Sequence, residues 1–443
     1  MLVGGNLVAK TNEYFHSVRL DKDKCKGCTN CIRGCPTEAI RVRDGKAKII
    51  DERCIDCGEC IKVCPHHAKI AFTDSLLDIS KYKYKIALPA PSLYGQFREL
   101  IGIDRIIMGL KGLGFDDVFE VAKGADIATD AIKRRINKIK TRPIISSACP
   151  SIVRLIQIRF PELLENIVDV NSPMEIAART AKKNYAKKNN VPINDIGVFF
   201  ITPCPAKMTV IKNPLGNKES YVDGAISILE IFGLLSSNHS KPKDGKLGND
   251  YASPYGVGWA NSGGEAAALG VDRFLAVDGI NNVIKVLEEI ENGKLEDLEY
   301  LEALSCIGGC VGGPLTVENC YVAKNNIKRL FKKMNDQDIK STQESAILPS
   351  YEETLFDAPL MPVKVMKLDE NFFKAMKMMK QLEEIEERLP DLDCGSCGSP
   401  TCKTLAEDIV RGFAKEIDCI YVLKDKLKSL AGSVEKLAGE DKE

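Results

Sequence analysis

Seventeen cysteines in a chain of 443 residues give the first clue to chemistry. Cys25, Cys28, Cys31 and Cys35 run as C-x-x-C-x-x-C-x-x-x-C and lead straight into Pro36; Cys54, Cys57, Cys60 and Cys64 repeat the run and lead into Pro65. Thiolates at intervals of three let a turning backbone wrap one inorganic cluster and aim its N–H groups at the sulfurs. The proline then turns the chain away. A disulfide framework belongs to much shorter secreted chains with a signal peptide. Met1 to Leu20 lacks the basic segment and long apolar core of such a signal, so metal sites are the expected use of the thiols. Zinc pairs separated C-x-x-C hooks rather than eight cysteines in two matched runs, which favours iron–sulfur clusters here. His66 and His67 follow the second run and are read as surface side chains or as neighbours of the cluster's ligands, not as ligands. Cys149, Cys204, Cys306 and Cys310 form a scattered central set; Cys394, Cys397, Cys402 and Cys419 form a terminal one. Cys320 is left over and reads as a buried thiol.

The central set needs a scaffold. Beyond Ser80 the texture alternates between strands and helices. Tyr84 to Leu88, Ile144 to Ser147 and Ile196 to Thr202 read as short apolar strands; Asp126 to Lys138 and Pro173 to Lys188 read as helices. This is α/β patterning with parallel strands, in which ligands gather beyond the carboxyl ends of strands. Cys149 and Cys204 each follow a strand, and Cys306 and Cys310 lie in a glycine-rich stretch that permits close backbone approach. The expected site is a buried four-cysteine cluster with Lys207 beside it. Equal totals of 62 basic and 62 acidic residues argue against a broad nucleic-acid or membrane surface. No apolar run is long enough to span a bilayer. A cytoplasmic location is expected, with neither nucleic acid nor membrane as partner.

The two N-terminal runs resemble the bacterial two-cluster ferredoxin, in which the fourth cysteine of each run ligates the other cluster. That resemblance implies Cys25, Cys28, Cys31 and Cys64 on one 4Fe–4S cluster, and Cys54, Cys57, Cys60 and Cys35 on the second. Roughly residues 20–330 resemble the [FeFe]-hydrogenase family. Its motifs T-S-C-C-P-G-W, M-P-C-x-x-K and E-x-M-A-C-x-x-G-C-x-x-G-G-G are answered by Ser146 to Ile152, Thr202 to Lys207 and Glu302 to Gly313. Ala90-Pro91-Ser92, Gly124-Ala125-Asp126 and Ser262 to Ala266 are similar too.

The resemblance implies reversible dihydrogen oxidation and proton reduction at an H-cluster. Cys149, Cys204, Cys306 and Cys310 would hold its cubane, with Cys310 bridging to a diiron subcluster that carries CO, cyanide and an azadithiolate. Lys207 would bond an iron-bound cyanide, and Ala90, Pro91, Leu304 and Gly309 would contribute to the cofactor's surroundings. Ala148 stands where fast members carry a proton-relay cysteine, and a methyl group cannot pass a proton. Leu304 replaces a methionine and Ile152 a tryptophan, and Val210 replaces an acid. These departures imply low turnover and hydrogen sensing or redox signalling in an anaerobic setting. The competing reading is a hydrogenase-like cytosolic Fe–S assembly or carrier protein without a diiron site.

The terminal set resembles the small 4Fe–4S domain of corrinoid iron–sulfur proteins, with zinc as the competing occupant. Asp369 to Leu389 reads as a helix whose methionines pack into a core. Asn335 to Glu370 reads as a linker or wrapping segment. Ile420, Leu423, Leu427, Leu430, Val434 and Leu437 form a short heptad seam that could join two chains, dock a signalling partner or pack on its own domain. The expected fold is an α+β ferredoxin domain (1–78) and an α/β hydrogenase domain (79–345) with two lobes around the H-cluster. A linker and helix (346–390) and a small, mostly helical Fe–S domain (391–443) follow. The expected redox partner is a ferredoxin or a signalling protein.

Overall fold

A computed structural model of the chain describes residues 14–97, 102–237, 252–336 and 347–440. Parts of the Met1–Leu20 and Asn335–Glu370 readings, and the side chain of Leu437, lie outside the described residues.

The first module uses four short strands: β1 (Val18–Leu20), β2 (Ile40–Arg43), β3 (Lys46–Ile49) and β4 (Lys69–Ala71). β1 pairs antiparallel with β4, and β2 with β3. One-turn helices at Asn30–Arg33 and Glu59–Lys62 carry the middle of each cysteine run. Ile32, Ile40, Ala47 and Ala68 pack between the cysteines and close a small apolar core.

Seven further strands follow: β5 (Tyr84–Pro89), β6 (Asp117–Val118), β7 (Ile144–Ile145), β8 (Ile196–Thr202), β9 (Gly224–Ser227), β10 (Phe274–Asp278) and β11 (Tyr300–Leu304). They build two parallel sheets, ordered β6-β5-β8-β9 and β10-β11-β7. Parallel strands covered on both faces read as continuous apolar runs, and β8, buried at all seven positions, is such a strand. Tyr84 and Ile196 pair in register, so β5 and β8 end together.

The helix expected from Asp126 begins earlier and spans Val121–Ile136. Gly124 lies inside it: a Cβ there would sit 2.2 Å from the Pro173 carbonyl oxygen, so the glycine marks a close helix crossing and not a stop. The Ile144–Ser147 strand is shorter than expected, because Ser146 and Ser147 turn their hydroxyls to Glu265 and to the Val170 carbonyl. The segment around Asp357 wraps the body: Phe356 N donates to Asp169 O (3.0 Å) and Val363 N to Gln157 O (2.9 Å).

Two expectations fail. Phe372, Met376 and Met379 on the helix Phe372–Glu386 are 69%, 57% and 44% exposed, so the methionine stripe is not core. Among the described residues, Leu382 and Ile385 alone of this helix reach the apolar cluster around Leu405, and no second layer covers the helix's first half. Cys320 is half-buried, since it opens the helix Cys320–Asp336 at the rim of the Gly308–Gly312 loop.

Candidate metal centre

Both parallel sheets point their carboxyl ends at one cavity of about 90 Å³. Ala90 and Pro91 follow β5, Cys204 follows β8, Ala148 and Cys149 follow β7, and Cys306 follows β11; all line it. Cys310, Lys207, Leu304 and Gly309 complete the set expected from sequence. Gly309 holds φ +101°, and a Cβ there would lie 2.5 Å from Ser262 N, so only glycine lets the loop close this tightly.

The donor chemistry fits a metal cluster. Burial and the neighbouring cysteines push the thiols up, Cys204 to about 11, Cys306 to about 12 and Cys310 well above its ordinary value. Thiols crowded this way give up their protons only when a cationic group compensates the thiolate charge left behind, which a cluster of iron ions would do. Lys207 Nζ donates to Ala148 O at 3.0 Å, which ties the lysine to the residue where a relay thiol is missing.

Two carboxyls that sequence reasoning missed also line the cavity. Glu265 and Glu302 are 2% and 1% exposed. Ser146 Oγ (2.7 Å) and Tyr300 OH (2.6 Å) meet the two oxygens of Glu265, and the N–H groups of Gly263 and Ala266 (both 2.9 Å) meet those of Glu302. Burial raises both carboxyls, Glu265 to about 7, and the charge of Glu265 raises Glu302 further. The two acids differ in what their partners tolerate. Backbone N–H groups only donate and favour a charged Glu302, whereas hydroxyls can turn and accept, so Glu265 is the better proton holder. Ser146 Oγ also accepts from Ala148 N at 3.2 Å, so this polar chain ends at Ala148. The available signal was an acid in the middle of the apolar run Tyr300–Leu304: on a fully buried strand it must be paired or protonated.

The N-terminal cysteines fall into two neighbourhoods. Cys35 and Cys60 act electrostatically on both Cys54 and Cys57, and burial raises all four thiols. Cys25 and Cys28 act in the same way on Cys31. Cys64 shares an apolar cluster with Cys25, Cys31, Cys35 and Cys60, and Cys31 also acts on Cys60, so the two neighbourhoods adjoin. Backbone N–H groups meet sulfur at Cys35 (Ala39, 3.2 Å), Cys25 (Ala47, 3.3 Å) and Cys64 (Ala68, 3.3 Å). His66 and His67 are exposed. Cys57 also lines the central cavity, so the first module abuts the second there. Gly58 makes that seat possible: a Cβ would lie 2.4 Å from Pro314 Cγ. Cys397, Cys402 and Cys419 share one apolar cluster, and Cys394 and Cys419 both act on Cys397.

Three family models match this chain. "Iron only hydrogenase large subunit, C-terminal domain" matches residues 83–273 and 269–314, "4Fe-4S dicluster domain" residues 17–65, and "Putative Fe-S cluster" residues 389–421. Iron hydrogenase 1 of Clostridium pasteurianum is 25% identical over 79% of this chain and 74% of its own. A cytosolic Fe-S cluster assembly factor of Yarrowia lipolytica is 18% identical over 44% of this chain and 37% of its own. A solved [FeFe]-hydrogenase from Chlamydomonas reinhardtii superposes with a TM-score of 0.50 at 15% identity, covering 66% of this chain and 98% of that one, a likeness of fold. Among the described residues no helix is long and apolar enough to cross a membrane.

Proposed function

Because the chain belongs to the iron-only hydrogenase large-subunit family, we propose that it performs reversible dihydrogen chemistry, slowly and in the service of hydrogen sensing. The observation that carries this reading is one cavity lined by Cys149, Cys204, Cys306, Cys310 and Lys207 at the ends of two parallel sheets. The four thiolates would hold a cubane, with Cys310 as the bridging ligand. When bound, the attached diiron unit with its CO, cyanide and azadithiolate ligands supplies the splitting of dihydrogen and accepts its electrons. Lys207 would orient that unit through a charge-assisted hydrogen bond to cyanide. Ala90, Pro91, Leu304 and Gly309 would shape its surroundings and exclude water.

Ala148 offers no proton to relay. The nearest polar chain is Ser146 Oγ with Glu265 Oε2, 2.7 Å apart, and it holds a proton near neutral pH on the far side of Ala148. Loss of a direct relay supports slow turnover, and slow turnover suits a sensor. Electrons would pass to the cluster of Cys54, Cys57, Cys60 and Cys35, then to that of Cys25, Cys28, Cys31 and Cys64. A terminal 4Fe–4S cluster on Cys394, Cys397, Cys402 and Cys419 would end the series. The domains are assigned as 1–78, 79–345, 346–390 and 391–443, in a cytoplasmic protein that serves a ferredoxin or signalling partner. The helix Ile420–Glu440 exposes Ile420, Leu427, Leu430 and Val434 and would pair two chains.

The similarity to assembly factors favours one other reading, a cluster carrier without the diiron unit. Infrared spectra after maturation separate the two. Bands of CO and cyanide are expected; their absence from protein with full iron content overturns the hydrogenase reading.

A further inference from the structure

The terminal cysteine set sits on the first module through buried charges. Asp408, 4% exposed, accepts from Arg41 Nε at 2.6 Å, Arg43 Nη2 at 2.8 Å and Ser399 Oγ at 3.0 Å. Glu407 pairs with Arg53 and Arg411, and Thr404 donates to Glu38 at 2.8 Å. Val42 N donates to Gly398 O at 2.8 Å, which joins β2 to the loop between the cysteines. A buried carboxylate shared by two guanidiniums is costly to separate, so the terminal module is held in place and not merely tethered.

Two arginines also touch the cysteine loop itself. Arg43 Nη1 donates to the Cys397 carbonyl and Arg33 Nη2 to the Cys394 carbonyl, both at 2.8 Å. Arg33 lies between Cys31 and Cys35 on the one-turn helix of the first run. Five guanidiniums (Arg33, Arg41, Arg43, Arg53 and Arg411) stand against four carboxylates (Asp408, Glu407, Glu38 and Asp393, which accepts from Cys402 N), and Arg33 and Arg43 act on the thiols of Cys394 and Cys397, so the charge beside the terminal set is net positive.

We propose that Arg33 and Arg43 are positioning residues for the terminal cluster: bound to the carbonyls of Cys394 and Cys397, they fix it on the first module and make it the easier cluster to reduce. This rests on the reading that the terminal set holds a 4Fe–4S cluster. The step is a one-electron transfer in which a ferredoxin-type cluster is oxidised and the terminal one reduced. Reduction makes a cluster more negative, so fixed positive charge beside it favours the reduced form. Electrons released at the central cavity then come to rest at the terminus.

The test is an EPR-monitored redox titration of the full chain, reconstituted anaerobically with iron and sulfide. Cys419→Ser identifies the terminal signal by its loss. Arg43→Gln should move that signal to lower potential by more than it moves the N-terminal signals, and Arg33→Gln, whose residue flanks the first run as well, should lower it too. Arg43→Lys keeps the charge and should retain most of the midpoint. Arg33 is solvent-facing, so its variant folds even if Arg43→Gln does not. A terminal signal that is present but unmoved in both glutamine variants overturns the proposal and leaves the cluster assignment standing. Zinc in place of iron, with Cys419→Ser leaving the spectrum unchanged, overturns both.

Discussion

Replacing Glu265 by Gln tests whether the cavity stores a proton. Gln is isosteric with the neutral acid, and both its partners, Ser146 Oγ and Tyr300 OH, are hydroxyls that can reverse. Burial raises Glu265 from 4.5 to about 7. The folded protein therefore binds a proton that the unfolded chain releases between those values, and stability must fall as pH rises through that window. The contribution is fully present below pH 4.5 and lost above about 7. At roughly 1.4 kcal/mol per pH unit it amounts to about 3 kcal/mol. For a unit of the second module's size this is a shift of roughly 6–12 °C in Tm. The assay is anaerobic calorimetry at one scan rate, at pH 5.5 and 8.5. Because pH 5.5 already lies one unit into that window, wild type should lose about 2 kcal/mol, roughly 4–8 °C, more than Glu265→Gln between the two conditions. Parallel pH profiles would refute the stored proton.

Three further outcomes are expected. Ala148→Cys restores a titratable relay at the cavity and should raise turnover of the matured protein on the order of 10²-fold; an unchanged rate refutes the role given to this position. Gly58→Ala places a Cβ against Pro314 at φ +76°, and should cost about 1–3 kcal/mol and slow electron exit, while Gly34→Ala, whose Cβ would meet nothing closer than 3.8 Å, should be mild by comparison. Equal effects of the two on Tm and dye reduction would contradict the docking role of Gly58. Leu427→Glu puts a charge on a seam residue that is 57% exposed, and should turn a dimer into a monomer by light scattering with Tm nearly unchanged; a wild-type monomer at high concentration refutes the pairing.

Much of the site was legible because ligand chemistry is written in short spacings. The runs ending at Pro36 and Pro65 need no tertiary knowledge, and Cys149 and Cys204 follow strands whose apolar runs are plain. The proton-holding group was not legible. Ser146 and Glu265 lie 119 residues apart and meet only because β7 and the helix Gly264–Leu269 both pack against β11. Local periodicity carries no trace of such a pairing. The methionine stripe misled for the opposite reason. Helical spacing shows which residues share a face, but not whether another element covers it, and here Phe372 and Met376 face solvent.

The union of Arg41 with Asp408 also has a consequence for how the protein is made. These residues are 367 positions apart. At typical synthesis rates of about 5–20 residues per second, the ferredoxin-like module emerges roughly 20–70 s before its cover exists. Throughout that interval Arg41 and Arg53, buried in the finished protein, face solvent. Arrival of the terminal helices then buries both arginines, so this face of the first module is completed by residues more than 350 positions further along the chain.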